Sequence, residues 1–395
     1  MFDLSDLANK RCQQVRAAMI TAQLPALLVL DPVNIFYATG ARNMSVFAMR
    51  VPSRYLMMFA EGPTILFEYT GCEHLAKGLP TIDQIRPARG LCYVSSGNNT
   101  EEAARGLASE IADLYREYTS ADTSLAIDRF PLTVTDALRD QGFLLSDADP
   151  VFARARKVKM PEEIEVMREG VRRVESAVDV FRTSLLPGRS ESEAWSEFHR
   201  PFIATEGQYV TTRLMQSGEH TFPYFQECAS RTIESGDLVC LDTDALGFGG
   251  YAVDFSRTFI CGDKAPTARQ RELYQRAKDQ LEWNSSLIKP GITFEEIGNK
   301  AWPVPHEHQA SRYYCVAHGL GMSGEFPNIA HATKGEPYPI DGLVESGMVL
   351  CVESYIGCER TGQGVKLEDQ FVVTQNGADA MSRYPLDDQF LNREI

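Results

Sequence analysis

Four acids occupy matching places in two halves of this chain. Asp242 closes the apolar run Gly236-Asp237-Leu238-Val239-Cys240-Leu241-Asp242, and Glu353 closes Gly347-Met348-Val349-Leu350-Cys351-Val352-Glu353 further on. Each run is followed by a second strand-like segment with its own acid. Asp254 stands in Tyr251-Ala252-Val253-Asp254-Phe255-Ser256, and Glu368 in Val365-Lys366-Leu367-Glu368-Asp369-Gln370-Phe371-Val372-Val373. An ionised carboxylate inside an apolar sheet costs several kcal/mol unless it is paired or bound to metal, so four converging acids call for cations.

Two further residues extend the set. Asp244 follows Asp242 by two positions and shares its face if the strand persists through Thr243. His318 lies between the apolar Cys315-Val316-Ala317 and the glycine-rich Gly319-Leu320-Gly321. Alone, Asp242-Thr243-Asp244 reads as a turn acid pair, and a single histidine beside an apolar strand reads as an ordinary hydrogen-bonding group. Together, Asp242, Asp244, Asp254, His318, Glu353 and Glu368 suit two adjacent divalent cations such as manganese, iron, cobalt or zinc, with carboxylates bridging. Such a pair can polarise a substrate oxygen, acidify a bound water or hold a carboxylate.

The elements that must position these residues also recur. Ser190 and Glu193 form a capping box after Pro187-Gly188, and Thr293 and Glu296 form one after Pro290-Gly291. Helix, turn, helix and acid-bearing hairpin therefore repeat together, which predicts an internal duplication. Ile164, Met167, Val171, Val174, Val178, Phe181 and Leu185 trace one apolar helical stripe ahead of the first copy. A boundary is expected at the basic connector Arg154 to Pro161. Before it, helix-like and strand-like stretches alternate: a helix over Leu4 to Ala22, a strand over Ala26 to Leu30, a hairpin about Glu61-Gly62 and a helix over Glu101 to Tyr118. The predicted organisation is an α/β domain over 1–157 and a duplicated domain over 158–395.

Composition narrows the partners. With 395 residues, 44% hydrophobic and 24% charged, the chain has ordinary globular balance. A net charge of −15 argues against nucleic acid and anionic membranes, which leaves a small-molecule substrate. No apolar run approaches the roughly 20 residues of a membrane span. Residues 1–16 mix acids and bases, unlike a secretory signal, so a cytoplasmic location is expected. Nine cysteines without a Cys-x-x-Cys pair read as reduced, mostly buried thiols.

With these residues in this order, the chain resembles the pita-bread metalloenzymes, the family of creatinase, aminopeptidase P and methionine aminopeptidase. The resemblance spans nearly the whole chain. Asp242, Asp254, His318, Glu353 and Glu368 follow the family's Asp, Asp, His, Glu, Glu order, and Asp254-Phe255-Ser256-Arg257-Thr258 and Val365-Lys366-Leu367-Glu368-Asp369 look like its strands. The resemblance implies an α+β fold, a creatinase-like N-terminal domain followed by a pseudo-twofold pita-bread catalytic domain, and two divalent metals. It also implies a homodimer in which N-terminal residues such as Arg42 and Arg50 act across the interface.

Two departures bear on activity. The peptidases of the family carry a second histidine seven residues after the metal-binding one, where this chain has Glu325. The histidine expected upstream of the first Asp is absent from Pro223-Tyr224-Phe225-Gln226-Glu227, unless His220 replaces it. Peptide hydrolysis is thereby disfavoured. The extra Asp244 and the segment Asn34 to Met44 look most like the branch containing dimethylsulfoniopropionate lyases. That resemblance implies iron foremost, a small zwitterionic substrate, and β-elimination to dimethyl sulfide and acrylate. Lyases of this type are expected to carry an aspartate base where Gly324 stands, so Glu325 is the candidate base and Tyr313 an orienting hydroxyl or acid. Aromatic and methionine residues within Asn43 to Tyr55 could surround a sulfonium, although core packing is the plainer account of them. A metal-dependent hydrolase of a small amide or dipeptide, and a metal-free binding module, are the alternatives.

Overall fold

A computed structural model describes residues 2–119 and 123–391. The chain divides after Arg156 into two compact units. The first is built on a six-stranded sheet of β1 (Ala26–Val29), β2 (Tyr55–Phe59), β3 (Thr64–Glu68), β4 (Gln84–Pro87), β5 (Ser124–Ile127) and β6 (Leu144–Asp147), in the order β4-β3-β2-β1-β5-β6. β2 and β3 form the expected hairpin, with Met58 opposite Thr64. Helix Thr100–Tyr118 buries Leu107, Ile111 and Leu114 against the sheet residues Leu28, Met57 and Ile65. Within Asn43 to Tyr55, Asn43, Ser53, Arg54 and Tyr55 are buried, whereas Met44, Val46, Phe47 and Met49 stay exposed, so core packing accounts for only part of that stretch.

The second unit begins with helix Pro161–Ser184, whose apolar stripe is buried from Met167 to Phe181. Its strands are β7 (Tyr209–Val210), β8 (Met215–Ser217), β9 (Leu238–Asp242), β10 (Ala245–Leu246), β11 (Ala252–Val253), β12 (Ser256–Ile260), β13 (Cys315–Leu320), β14 (Gly324–Ala330), β15 (Val349–Cys358), β16 (Gln363–Val373) and β17 (Ala378–Ala380). The main sheet runs β14-β13-β15-β16-β12-β9-β8, with β17 on β16. Both capping boxes form: Ser190 and Glu193 exchange bonds at the start of helix Glu191–Ala204, and Thr293 and Glu296 at helix Phe294–Lys300. Gly188 and Gly291 precede them with φ of +92° and +85°, a backbone that residues with a Cβ rarely adopt.

Register explains why the two repeats meet. Asp242 lies opposite Ser256, Ser256 opposite Glu368, and Glu368 opposite Glu353, so one row of side chains crosses four strands on one face. Residues alternate faces along a strand, so Leu350, Val352 and Ile356 of β15 point the other way, into a core with Leu273, Ala277 and Leu281 of helix Ala268–Ser286. All nine cysteines are unpaired, and only Cys72 and Cys92 are not buried. No helix among the described residues is long and apolar enough to cross a membrane.

Candidate metal centre

The acid row is almost wholly removed from water: Asp242, Asp254, Glu353 and Glu368 are each 7% exposed or less. His318 reaches it from β13, where it faces Cys351, two residues before Glu353. Its Nε2 lies 3.5 Å from Glu353 Oε1, 3.5 Å from Glu368 Oε1 and 3.7 Å from Asp254 Oδ2. Ligand atoms gather in two groups that share Asp254: Asp254, His318, Cys351 and Glu368, and Asp242, Asp244 and Asp254. Within each group they lie within 4.8 Å of one another.

Asp244 arrives differently from the way the strand pattern predicts. β9 ends at Asp242, and Asp244 has φ +37°, in the left-handed region, so no continuous strand carries the pair. A hydrogen bond from the Thr212 hydroxyl holds its Oδ2, and the carboxylate still joins Asp242 and Asp254.

Lys366 went unread in the sequence, and it is the central cation of the cluster. Fully buried, its Nζ stands 2.6 Å from Glu353 Oε2, 2.8 Å from Glu368 Oε2, 2.7 Å from Ser256 Oγ and 3.5 Å from Asp242 Oδ2. The available signal was its position two residues before Glu368, on the same strand face. Tyr224 was also missed; its hydroxyl donates to Asp242 Oδ2. Burial would raise the Glu368 carboxyl, but Lys366 and His318 hold it down at about 2. Burial and then the Asp242 charge push Asp244 up to about 7. Burial, reinforced by Glu368, pushes Asp254 and Glu353 up as well.

The donor set fits divalent cations. Asp254 Oδ1 and Glu368 Oε1 are buried and lack a hydrogen-bond partner, an arrangement that costs free energy until a cation binds there. Oxygen donors with one imidazole suit manganese, iron, cobalt or zinc. Cys351 adds a sulfur, and burial and the surrounding carboxylates push its thiol well up.

The cluster opens into a cavity of about 840 Å³, bordered also by Phe225, Glu227, Tyr313, Tyr314 and Glu325. Burial, followed by the charges of Glu353, Asp242 and Glu368, pushes the Tyr313 phenol far up, so it stays a neutral hydrogen-bond donor. Glu325 is no surface acid: its side chain is 6% exposed and paired with Lys159 at 2.9 Å. His220 is bonded to Glu191 and is not among the residues bordering the cavity, so it does not replace the missing histidine. Arg42 stacks on Phe36, with its guanidinium 3.7 Å from the ring centre, inside the first unit.

Residues 165–375 match the model of metallopeptidase family M24, and residues 11–158 match the creatinase/prolidase N-terminal domain. The chain belongs to metallopeptidase family M24. Among the M24 relatives, it is 32% identical to a dimethylsulfoniopropionate lyase of Roseovarius nubinhibens and 30% identical to one of Roseobacter denitrificans. Both matches take in 99% of this chain and 89% of the relative. Solved M24-type folds superpose closely. A prolidase of Thermococcus sibiricus gives a TM-score of 0.77 at 20% identity, over 96% of this chain and 98% of that one. An Xaa-Pro dipeptidase of Bacillus anthracis gives 0.75 at 19%, over 96% and 99%. The pita-bread architecture and creatinase-like N-terminal domain implied by the sequence are thus those of this M24 member.

Proposed function

We propose that this M24 enzyme cleaves the carbon–sulfur bond of dimethylsulfoniopropionate. In this β-elimination a base takes a proton from the carbon beside the carboxylate, and the C–S electron pair leaves with sulfur. Dimethyl sulfide and acrylate are the products. The observation that carries the reading is the full-length likeness to two lyases of that substrate.

The chain's own residues support it. A zwitterion needs an anion site and a cation site within one cavity. Asp242, Asp244, Asp254, His318, Glu353 and Glu368 would hold two divalent ions, iron foremost and manganese, cobalt or zinc as substitutes, which supply Lewis acidity toward the substrate carboxylate and its neighbouring C–H. Phe225, Tyr313 and Tyr314 form a continuous aromatic wall, with centroids 5.0 to 6.2 Å apart. Aromatic faces attract onium groups, and Glu227 adds negative charge at the same cavity. Glu325 is the proposed base, and Tyr313, a neutral donor, orients the substrate. Positioned proton transfer of this kind contributes about 10²- to 10⁴-fold. Unpaired cysteines fit a reducing compartment, and with this reading we also propose a cytoplasmic homodimer.

The peptidases' second histidine is replaced here by Glu325, which disfavours a metallohydrolase, and a metal-free module would leave Asp254 Oδ1 and Glu368 Oε1 unsatisfied. The test is product detection on dimethylsulfoniopropionate with metal-loaded protein, alongside a dipeptide and creatine panel. Absence of dimethyl sulfide under iron, manganese and zinc loading removes the reading; amine or amino-acid release supports the hydrolase.

A further inference from the structure

The basic connector ahead of Pro161 contributes one residue that pairs with an acid of the cavity wall. Lys159 is 4% exposed, and its Nζ meets Glu325 Oε2 at 2.9 Å, while Glu325 Oε1 accepts the Met322 backbone N–H at 2.8 Å. Both ends of the pair are anchored. The Lys159 backbone N–H bonds to Gly347 O in the turn leading into β15, the strand that bears Glu353. Glu325 sits on β14 opposite Gly319, and a Cβ at Gly321 would lie 2.1 Å from its Oε1, so the glycines near His318 make the space its carboxylate occupies.

We propose that Lys159 is the positioning residue for Glu325, keeping it ionised and aimed into the cavity as the base. This rests on the lyase reading. A carboxylate this deeply buried without a cation would favour its neutral form, which cannot accept a proton. Of the other charged groups bordering the cavity, Glu227, Asp242, Asp244, Asp254 and Glu353 are acids, and His318 is directed at Glu353 and Glu368. Lys159 is in direct ion-pair contact.

The experiment compares pH profiles of kcat/KM on dimethylsulfoniopropionate for wild type, Lys159→Met, Lys159→Arg and Glu325→Gln, each metal-loaded. Lys159→Met is expected to lose at least about tenfold at neutral pH. Its acid limb should move up by about one pH unit or more, with activity recovering at high pH. Lys159→Arg should keep the wild-type limb. Should Lys159→Met fail to fold, Lys159→Gln, which keeps a donor but no charge, carries the same test. An unmoved acid limb in the uncharged variants, with Glu325→Gln inactive, overturns the proposal and leaves the lyase reading standing. Full activity in Glu325→Gln removes the base assignment itself, and no dimethyl sulfide from wild type removes the function.

Discussion

Lys366 Nζ lies 2.8 Å from Glu368 Oε2, two positions along the same strand and on the same face. That ammonium also touches Glu353, so one buried cation serves acids from neighbouring strands. Lys366→Met leaves these carboxylates without it. Removing one partner of a buried pair costs about 3–5 kcal/mol, and the metal-stripped variant should lose stability on that scale in denaturant melts. Divalent metal should restore part of the loss. Equal losses with and without metal would contradict the arrangement.

Metal-stripped protein should become less stable as pH rises from about 4 to 7. Asp244 is raised from 3.8 to about 7, so the folded state holds a proton that the unfolded chain has already released across that window. Stability from such a group is present below the unfolded value and disappears as pH climbs through the folded one. Glu368, held at about 2, acts in the opposite sense, and only below its ordinary 4.5. Thermal melts across pH, with and without added divalent metal, check this: the downward slope should flatten when metal binds. A slope unaffected by metal would count against Asp244 as a ligand.

Asp254 belongs to both ligand groups. Asp254→Asn should therefore reduce metal content per chain more than Asp244→Asn, and lower turnover by at least about 10²-fold. Elemental analysis of the purified variants decides it; unchanged stoichiometry in Asp254→Asn would break the shared-ligand picture.

Phe225 holds a left-handed φ of +73° and remains 53% exposed at the cavity. Non-glycine residues rarely adopt that backbone without a compensating role. Phe225→Ala should raise KM for a sulfonium substrate by about three- to tenfold, the loss of one cation–π contact of roughly 0.5–1 kcal/mol plus packing, with little change in kcat. A kcat effect without a KM effect would assign Phe225 elsewhere.

Gly321→Ala should impair the enzyme without touching the metal ligands, because the new Cβ would meet the Glu325 carboxylate. Metal content should stay at the wild-type level while turnover falls by about tenfold or more. Normal turnover would mean that the Glu325 position is not critical.

Much of this site was legible in the chain because burial of charge is expensive and strands alternate faces. Asp242, Asp254, Glu353 and Glu368 stood out as acids ending or interrupting apolar strands, and paired capping boxes marked the repeat around them. Lys366 stood in plain view beside Glu368, but a lysine on a strand reads equally well as a solvated edge residue. Lys159 lay in a basic run whose ordinary reading is a surface connector. Only contact between segments distant in sequence distinguishes those cases.

The repeat, the order of the acids and the family likeness were therefore determined by sequence alone, since each is a local pattern. Tertiary structure decided the rest. Strand register set Asp242, Ser256, Glu368 and Glu353 in one row, a left-handed backbone delivered Asp244, and packing between distant segments brought Lys159 to Glu325. The physical reason is that periodicity specifies the face on which a side chain lies, whereas its charge partner is chosen by packing between segments far apart along the chain. The four acids are, in the folded protein, a set balanced by a lysine whose place on the same strand face local pattern gives, but whose contacts with Glu353 and Asp242 only packing between strands decides.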